Sequence, residues 1–170
     1  EFRRVLFRSR RLAEVDSTNR YALDAARAGE PAGLVVVADH QSAGRGRLGR
    51  TWEAPAGASL LTSVLLRPTI RLDALHLLTM AAGLAMADAV AAVAGFVPTL
   101  KWPNDLLADG RKLAGMLTEA EITDGVVTAV VVGIGVNVAW TDFPPEIAET
   151  ATACNLVVGH DVSRDALLDE

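Results

Sequence analysis

Three glycines and three arginines alternate within residues 44–52, and a tryptophan closes the segment. Glycine lets backbone N–H groups approach a ligand closely and tolerates a positive φ. Arginine supplies a rigid, permanently charged fork that suits phosphate and carboxylate groups. This segment, named the Gly/Arg loop (residues 44–52), therefore predicts a flexible loop that wraps around an anion.

Two nucleotide-binding patterns come close to segments of this chain but do not fit it. A P-loop leads directly into a helix whose N-terminus holds the phosphates, whereas Pro55 and Gly57 follow the Gly/Arg loop and no helical period begins there. Gly133 and Gly135 match part of a dinucleotide-binding fingerprint, but Val138 stands where its third glycine belongs. We interpret these two glycines as positions in a closely packed strand that has no room for side chains.

The composition is that of a globular protein, with 170 residues of which 51% are hydrophobic and 22% charged. The formal net charge is −5, which argues against nucleic-acid binding because such domains usually carry a basic surface. An RNA-binding role of the Gly/Arg loop stays an alternative, although RNA-binding Arg/Gly segments are usually long and repeated. The single cysteine, Cys154, excludes an internal disulfide and a cysteine-based zinc site, and the three histidines lack metal-ligand spacing. The scarcity of cysteine favours a cytoplasmic location.

Residue patterns predict the elements that must position the Gly/Arg loop. Ser17 belongs to a cluster of N-cap residues before a helix that Gly29 closes. Strands joined by tight turns, with few helices, indicate the α+β class and a mixed or mainly antiparallel sheet. The predicted strands are residues 34–38, 59–66, 99–102, 112–121 and 126–138, with turns at residues 109–110 and 124–125 and further helices at residues 72–94 and 163–168.

Two segments need separate interpretation. Residues 1–9 have no initiator methionine and no clear period. We therefore interpret residues 1–10 as a non-native or disordered segment and residues 11–170 as the domain, with a native entry strand as the alternative. The helix at residues 72–94 is long enough to raise the question of a membrane span, but its alanine content and Asp88 favour a buried amphipathic helix.

Four motifs follow each other along the chain: the Gly/Arg loop, Lys-Trp-Pro-Asn-Asp at residues 101–105, Lys-Leu-Ala-Gly at residues 112–115 and Gly-x-Gly-x-Asn at residues 133–137. In order and approximate spacing they resemble the motifs of biotin protein ligases, and the resemblance covers residues 11–168. It implies a central mixed, largely antiparallel sheet flanked by helices, similar to class II aminoacyl-tRNA synthetases. It also implies a two-step reaction. Biotin attacks the α-phosphate of ATP to give biotinyl-5′-AMP and pyrophosphate, and a lysine of a carrier protein then takes the biotinyl group and releases AMP.

The resemblance assigns roles to individual residues. The expected catalytic residues are Lys112, Arg47 and Asp105. The expected biotin-binding residues are Ser17, Thr18, Asn19, Gln41, Gly44, Arg45, Gly46, Arg47, Trp52, Lys112 and Gly115. The expected ATP-binding residues are Arg47, Arg50, Trp52, Lys101, Asn104, Asp105, Gly135 and Asn137. No metal ligand is assigned, and Mg²⁺ is expected to bind together with ATP.

Charge repulsion explains why this chemistry needs cations. A carboxylate about 4 Å from a phosphate is repelled by roughly 4 kcal/mol at an effective dielectric constant of 20. The candidates to offset this repulsion are Arg45, Arg47, Arg50, Lys101 and Lys112. In the second step, only about 0.04% of a free lysine is neutral at pH 7. Our hypothesis is that Asp105 accepts the proton of the incoming lysine.

Other functions stay open. A lipoate protein ligase shares the fold and the adenylate chemistry, and a truncated, non-catalytic biotin-binding module is a second alternative. Many biotin protein ligases carry a small β-barrel after the catalytic domain and some carry an N-terminal DNA-binding domain; we expect this chain to lack both and not to bind DNA. The expected partner is the biotin carboxyl carrier protein domain of a biotin-dependent carboxylase, without a membrane and with a homodimer allowed.

Overall fold

This computed structural model describes residues 6–170, which contain seven strands and four α-helices. The strands are β1 (Arg8–Val15), β2 (Leu34–Gln41), β3 (Ser59–Leu66), β4 (Thr99–Lys101), β5 (Asp105–Ala108), β6 (Arg111–Thr123) and β7 (Val126–Asn137). The helices are α1 (Thr18–Arg27), α2 (His76–Ala94), α3 (Cys154–Val158) and α4 (Arg164–Asp169). They confirm the predicted α+β class.

The strands form one sheet in the order β1-β2-β3-β7-β6-β5-β4. β1 and β2 run parallel, and α1 connects them; the five other neighbouring pairs are antiparallel. The expected mixed, largely antiparallel sheet is therefore confirmed. The turns between β5 and β6 and between β6 and β7 also lie where predicted, at residues 109–110 and 124–125, and all four turn residues have positive φ.

The first strand begins within the segment that we interpreted as non-native or disordered. Residues 8–10, which we expected outside the domain, belong to β1, where the Arg8 N–H donates to the carbonyl of Gly33 at 2.8 Å and Arg8 lies opposite Leu34. A native entry strand was only the alternative interpretation, because β1 lies at the sheet edge, is mostly exposed and carries three arginines, a composition that protects an edge rather than filling a core. The expectation for residues 1–5 lies outside the described residues. The origin of the segment and the domain bounds stay predictions.

Helices cover the two faces of the sheet differently. Val36 of β2 packs with α1 on one face, whereas its neighbour Val37 packs with α2 and α4 on the other, because alternate strand residues point to opposite faces. On the α1 face, β6 and β7 carry Gly115, Gly133 and Gly135 instead of side chains that could form a core. These glycines form the floor of a pocket beside the N-terminus of α1.

The long helix differs in part from its prediction. A 3₁₀ turn over Leu72–Ala74 precedes α2, and the whole stretch Leu72–Ala94 is long and apolar enough to cross a membrane by length and composition alone. α2 instead packs Met86 and Val90 into the core of the sheet. Its outer face is also apolar, since Leu77 and Leu84 are exposed, so the helix is less amphipathic than predicted.

Candidate functional site

One pocket of about 290 Å³ lies between α1, the Gly/Arg loop and the glycine floor. It collects nearly all residues for which the sequence predicts a role. The predicted residues that line it are Ser17, Thr18, Asn19, Gln41, Arg45, Gly46, Arg47, Arg50, Trp52, Lys101, Asn104, Asp105, Lys112, Gly115 and Gly135. Gly44 and Asn137 are not among the lining residues.

The N-terminus of α1 brings three buried polar residues to one end of the pocket. Ser17 is the N-cap, and its hydroxyl accepts from the backbone N–H of Arg20. The backbone N–H and the hydroxyl of Thr18 lie 2.8 and 3.0 Å from Oε1 of Gln41. Buried polar groups need hydrogen-bond partners. The donors and acceptors of these side chains that no protein atom satisfies are therefore available to a polar ligand.

Sheet register explains how Asn19 joins this cluster. Gly133 of β7 lies opposite Ser63 of β3 on one side and Leu117 of β6 on the other. Asn19 sits on Gly133, and a Cβ added there would lie 2.0 Å from the amide oxygen of Asn19. That oxygen accepts from the Ser63 hydroxyl at 2.6 Å, and the Asn19 amide nitrogen donates to the Leu117 carbonyl at 3.1 Å and to Glu119 Oε2 at 2.8 Å.

Sequence reasoning missed Ser63 and Glu119. Ser63 is a fully buried hydroxyl inside an otherwise apolar strand, and its Oγ also lies 2.7 Å from Thr18 Oγ1. Glu119 is a carboxylate in the middle of β6. A polar residue within an apolar strand was the available signal, but its partners come from distant segments and only the sheet register reveals them.

The Gly/Arg loop folds back on itself as a short hairpin. The Trp52 N–H donates to the Gly44 carbonyl at 3.0 Å, and the Gly46 N–H donates to the Arg50 carbonyl at 2.8 Å. At the tip, Leu48 has a φ of 58° and is 85% exposed. Gly44 lies at the base of the hairpin, where a Cβ would be 2.1 Å from the Trp52 carbonyl oxygen, and its assignment to biotin binding stays a prediction.

Trp52 extends from this hairpin onto the glycine floor. A Cβ at Gly135 would lie 2.7 Å from the indole, and one at Gly115 would lie 3.1 Å from it. The indole N–H is buried and has no hydrogen-bond partner among the described residues, and Lys112 Nζ lies 5.6 Å from the ring centroid. An unpaired buried donor is costly, so the Trp52 N–H is a candidate contact for a ligand. The interpretation of Gly135 as a closely packed position is confirmed.

Two of the five candidate cations have carboxylate partners. The guanidinium of Arg45 pairs with Glu119, which leaves its backbone, rather than its charge, for a ligand. Lys112 Nζ lies 2.8 Å from Asp105 Oδ1 at the pocket wall. That oxygen lacks a hydrogen bond of good geometry, so the contact is an ion pair.

The other three cations line the pocket without a carboxylate partner among the described residues. Arg47 donates to the side-chain oxygen of Asn104 at 3.1 Å, and the amide nitrogen of Asn104 donates to the Met116 carbonyl at 3.0 Å. Arg50 and Lys101 also line the pocket, and Lys101 of β4 lies opposite Asp105 of β5. The positive charge of these three side chains is available to an anionic ligand.

Asn137 lies apart from the pocket. Its amide nitrogen donates to the Thr152 carbonyl at 3.0 Å, and its amide oxygen accepts from the Ser59 hydroxyl at 3.3 Å. It lines a second groove, of about 170 Å³, that also includes Trp52 and Lys112. The assignment of Asn137 to ATP binding stays a prediction.

Comparison with known proteins identifies the family. Residues 12–137 match the profile of the biotin/lipoate A/B protein ligase family. The chain is 43% identical to the biotin–(acetyl-CoA-carboxylase) ligase of Mycobacterium tuberculosis over 84% of this chain and 53% of that protein. It is 37% identical to the bifunctional ligase/repressor BirA of Bacillus subtilis over 91% of this chain and 48% of that protein.

A solved structure gives the same result. The fold is similar to that of a biotin protein ligase from Aquifex aeolicus in complex with biotin and ATP, with a TM-score of 0.78 and 34% identity over 94% of this chain and 65% of that chain. This chain spans about half the length of the two relatives from Mycobacterium tuberculosis and Bacillus subtilis. With its fold, its pocket and its matched profile, the chain belongs to the biotin/lipoate A/B protein ligase family.

Proposed function

We propose that this chain is the catalytic domain of a biotin protein ligase, which activates biotin with ATP and transfers the biotinyl group to a lysine of a carrier protein. The observation that carries the proposal is that one pocket is lined both by neutral polar side chains (Ser17, Thr18 and Gln41, called the neutral end) and by cationic side chains (Arg47, Arg50 and Lys101, called the cationic end). The first suits the ureido ring of biotin, and the second suits a carboxylate beside a triphosphate.

The neutral end supports biotin rather than lipoate. Ser17 and Thr18 present buried hydroxyl groups, and the half-buried Gln41 presents an amide, so all three groups are uncharged. A ureido group has N–H donors and a carbonyl acceptor that can satisfy such groups. The dithiolane ring of lipoate has neither, and a buried polar site strongly rejects a ligand that leaves it unpaired.

The cationic end supports adenylate formation. Arg47, Arg50 and Lys101 carry charges that no carboxylate of the described residues neutralises. They can offset the repulsion between the biotin carboxylate and the α-phosphate and stabilise the negative charge of the transition state. Lys112, which pairs with Asp105, is proposed to contact the biotin carboxylate where it meets the α-phosphate.

Mg²⁺ is proposed to enter with ATP. Among the described residues no group of three or more histidine, cysteine, aspartate or glutamate side chains could hold a metal ion. Mg²⁺ commonly binds substrate phosphates through one or two protein carboxylates and several waters. Asp105 is the carboxylate at the cationic end, and bound Mg²⁺ would add positive charge on the phosphates.

Asp105 has a proposed role in each step. While it pairs with Lys112 Nζ at 2.8 Å, it holds that ammonium at the pocket wall for adenylate formation. To accept a proton from the carrier lysine, the carboxylate must exchange Lys112 for the incoming amine. The proposed partner is the biotin carboxyl carrier protein domain of a biotin-dependent carboxylase. The cytoplasmic location, the absence of DNA binding and the homodimer stay predictions.

Pyrophosphate release tests this function. The protein is mixed with ATP and Mg²⁺, and pyrophosphate is measured with biotin, with lipoate or with neither acid. Of these three mixtures, we expect only the one with biotin to release pyrophosphate. We expect Lys112→Met to reduce this release strongly. Release that depends on lipoate would assign the chain to lipoate ligases. Biotin binding without pyrophosphate release would favour the non-catalytic module.

A further inference from the structure

We propose that Glu119 is a positioning residue that holds the Gly/Arg loop closed over the pocket and orients Asn19 for ligand binding. The inference rests on the proposed biotinyl-adenylate chemistry for its consequence, although the contacts themselves do not depend on it. It also separates Arg45 from the other arginines of the loop, because Arg45 then anchors the loop instead of binding phosphate.

The two oxygens of Glu119 serve different elements. Oε1 pairs with the Arg45 guanidinium from the loop, and Oε2 accepts from the Asn19 amide nitrogen of α1 at 2.8 Å. The Glu119 side chain is 19% exposed, so both contacts are partly shielded from water. One carboxylate of β6 therefore connects the loop to the polar end of the pocket.

Only a carboxylate satisfies both partners. The guanidinium of Arg45 has no acceptor. The Asn19 amide is fixed with its nitrogen toward Glu119, because both the Leu117 carbonyl and the Glu119 carboxylate can only accept a hydrogen bond from it. A glutamine at position 119 has one acceptor oxygen, so its own NH₂ group must face either the arginine or the Asn19 nitrogen.

The anchor holds both arms of the loop. Arg45 lies opposite Thr51 in an isolated β-bridge, so fixing Arg45 also restrains the arm that leads to Trp52. Trp52 in turn covers Gly135 at the pocket floor. The tip around Leu48 extends beyond the bridge and is exposed. Loss of the anchor should therefore open the covered pocket and release an adenylate bound there.

Glu119→Gln tests the anchor. Biotinyl-5′-AMP is formed on the protein with labelled biotin, and its dissociation is followed after a chase with unlabelled biotin. We expect dissociation to be about tenfold faster than in the wild type, the size of one lost charge-assisted hydrogen bond. Formation of the adenylate in the first turnover should fall by a smaller factor.

Glu121→Gln is the matched control. Glu121 lies two residues further along β6 on the same face, is 25% exposed and pairs with Arg27 of α1 rather than with the loop. It makes the same change in charge and should leave adenylate dissociation at the wild-type rate. In addition, Arg45→Met and Glu119→Gln should be non-additive, because each removes the same contact.

Two results would overturn the role of Glu119: adenylate dissociation unchanged in Glu119→Gln, or the same increase in Glu121→Gln. Hydrogen exchange of loop amides in the ligand-free protein gives a test that needs no catalysis. We expect faster exchange at residues 44–52 in Glu119→Gln than in Glu121→Gln, and equal exchange would refute the anchor. If the wild type forms no adenylate, the proposed function fails, while the exchange result still decides the anchor.

Discussion

Polar and charged side chains in the pocket fall into two groups. Some have their hydrogen-bond or ion-pair partners within the protein, and the others are left for a ligand to pair with. Asn19 makes three hydrogen bonds to protein groups, whereas the Trp52 indole N–H has no partner among the described residues. Arg45 and Lys112 have carboxylate partners, whereas Arg50 has none among residues 6–170. The groups without partners mark where ligand atoms are expected.

The first residue-scale prediction concerns Gly135. In Gly135→Ala the new methyl group would displace the Trp52 ring from its seat, and we expect biotin-dependent pyrophosphate release to fall about 10- to 100-fold. Gly83→Ala is the control, because its Cβ would meet Leu100 and Met116 at 3.0 Å on the opposite face of the sheet. Full activity of Gly135→Ala, or an equal loss in Gly83→Ala, would contradict the assigned position of Trp52.

The second residue-scale prediction concerns Asp105. If Asp105 accepts the proton of the carrier lysine, Asp105→Asn slows biotinyl transfer more than adenylate formation, because the amide cannot take up that proton. Single-turnover rates of the two steps, measured separately with a carrier domain, check this. Equal loss in both steps would mean that Asp105 acts in binding, through its ion pair with Lys112.

Individual elements show which parts of the fold were predictable. The bounds of β3 match the prediction because an apolar run ends at Pro68, and the two hairpin turns carry Asp-Gly pairs with positive φ. β1 was predicted only as an alternative, because an edge strand buries little and has no apolar period. α3 was missed because five residues are too short for a helical period.

The candidate site was predictable where its residues are close in sequence, as in the motifs at residues 101–105 and 112–115. It was not predictable where the contacts cross the sheet. Ser63 and Glu119 reach Asn19 because β3, β7 and β6 align at Gly133. Register of this kind depends on strand pairing, which no local pattern reveals.

The element-scale prediction separates the helix cap from the ligand site. Ser17 and Ser163 both cap helices through their hydroxyl groups, but only Ser17 lines the pocket. Replacing either by alanine should lower the free energy of unfolding by about 1 kcal/mol, measured by urea denaturation. Calorimetric titration should then show weaker biotin binding in Ser17→Ala alone. Equal biotin affinity in the two variants would remove Ser17 from the site.

In the whole molecule, one face of the sheet carries the main hydrophobic core and the other face carries the pocket. The face under α2 and α4 holds the larger hydrophobic core, which includes Leu106, Val136 and Cys154. The opposite face has a smaller core under α1 and replaces core side chains by glycines where the pocket lies. Changes at the pocket floor should therefore affect ligand binding more than stability.

Cys154 supplies the whole-molecule prediction. Burial raises the pKa of its thiol to about 12, whereas an unfolded cysteine titrates near 8.5. Both states keep the proton below about pH 7, but between about pH 8 and 11 mainly the unfolded state loses it, so this group lowers the free energy of unfolding as pH rises. The urea stability of the wild type should fall more steeply than that of Cys154→Ala between pH 8 and 10.5. Parallel curves would contradict the burial of the thiol.

Native mass spectrometry of the protein after incubation with biotin, ATP and Mg²⁺ tests the central claim most directly. The neutral and cationic ends of the pocket predict a complex that contains one biotinyl-5′-AMP. It should form only when both substrates are present, be absent with lipoate and be lost in Lys112→Met. A complex with intact biotin and ATP but no adenylate, or a lipoyl adenylate, would contradict the account.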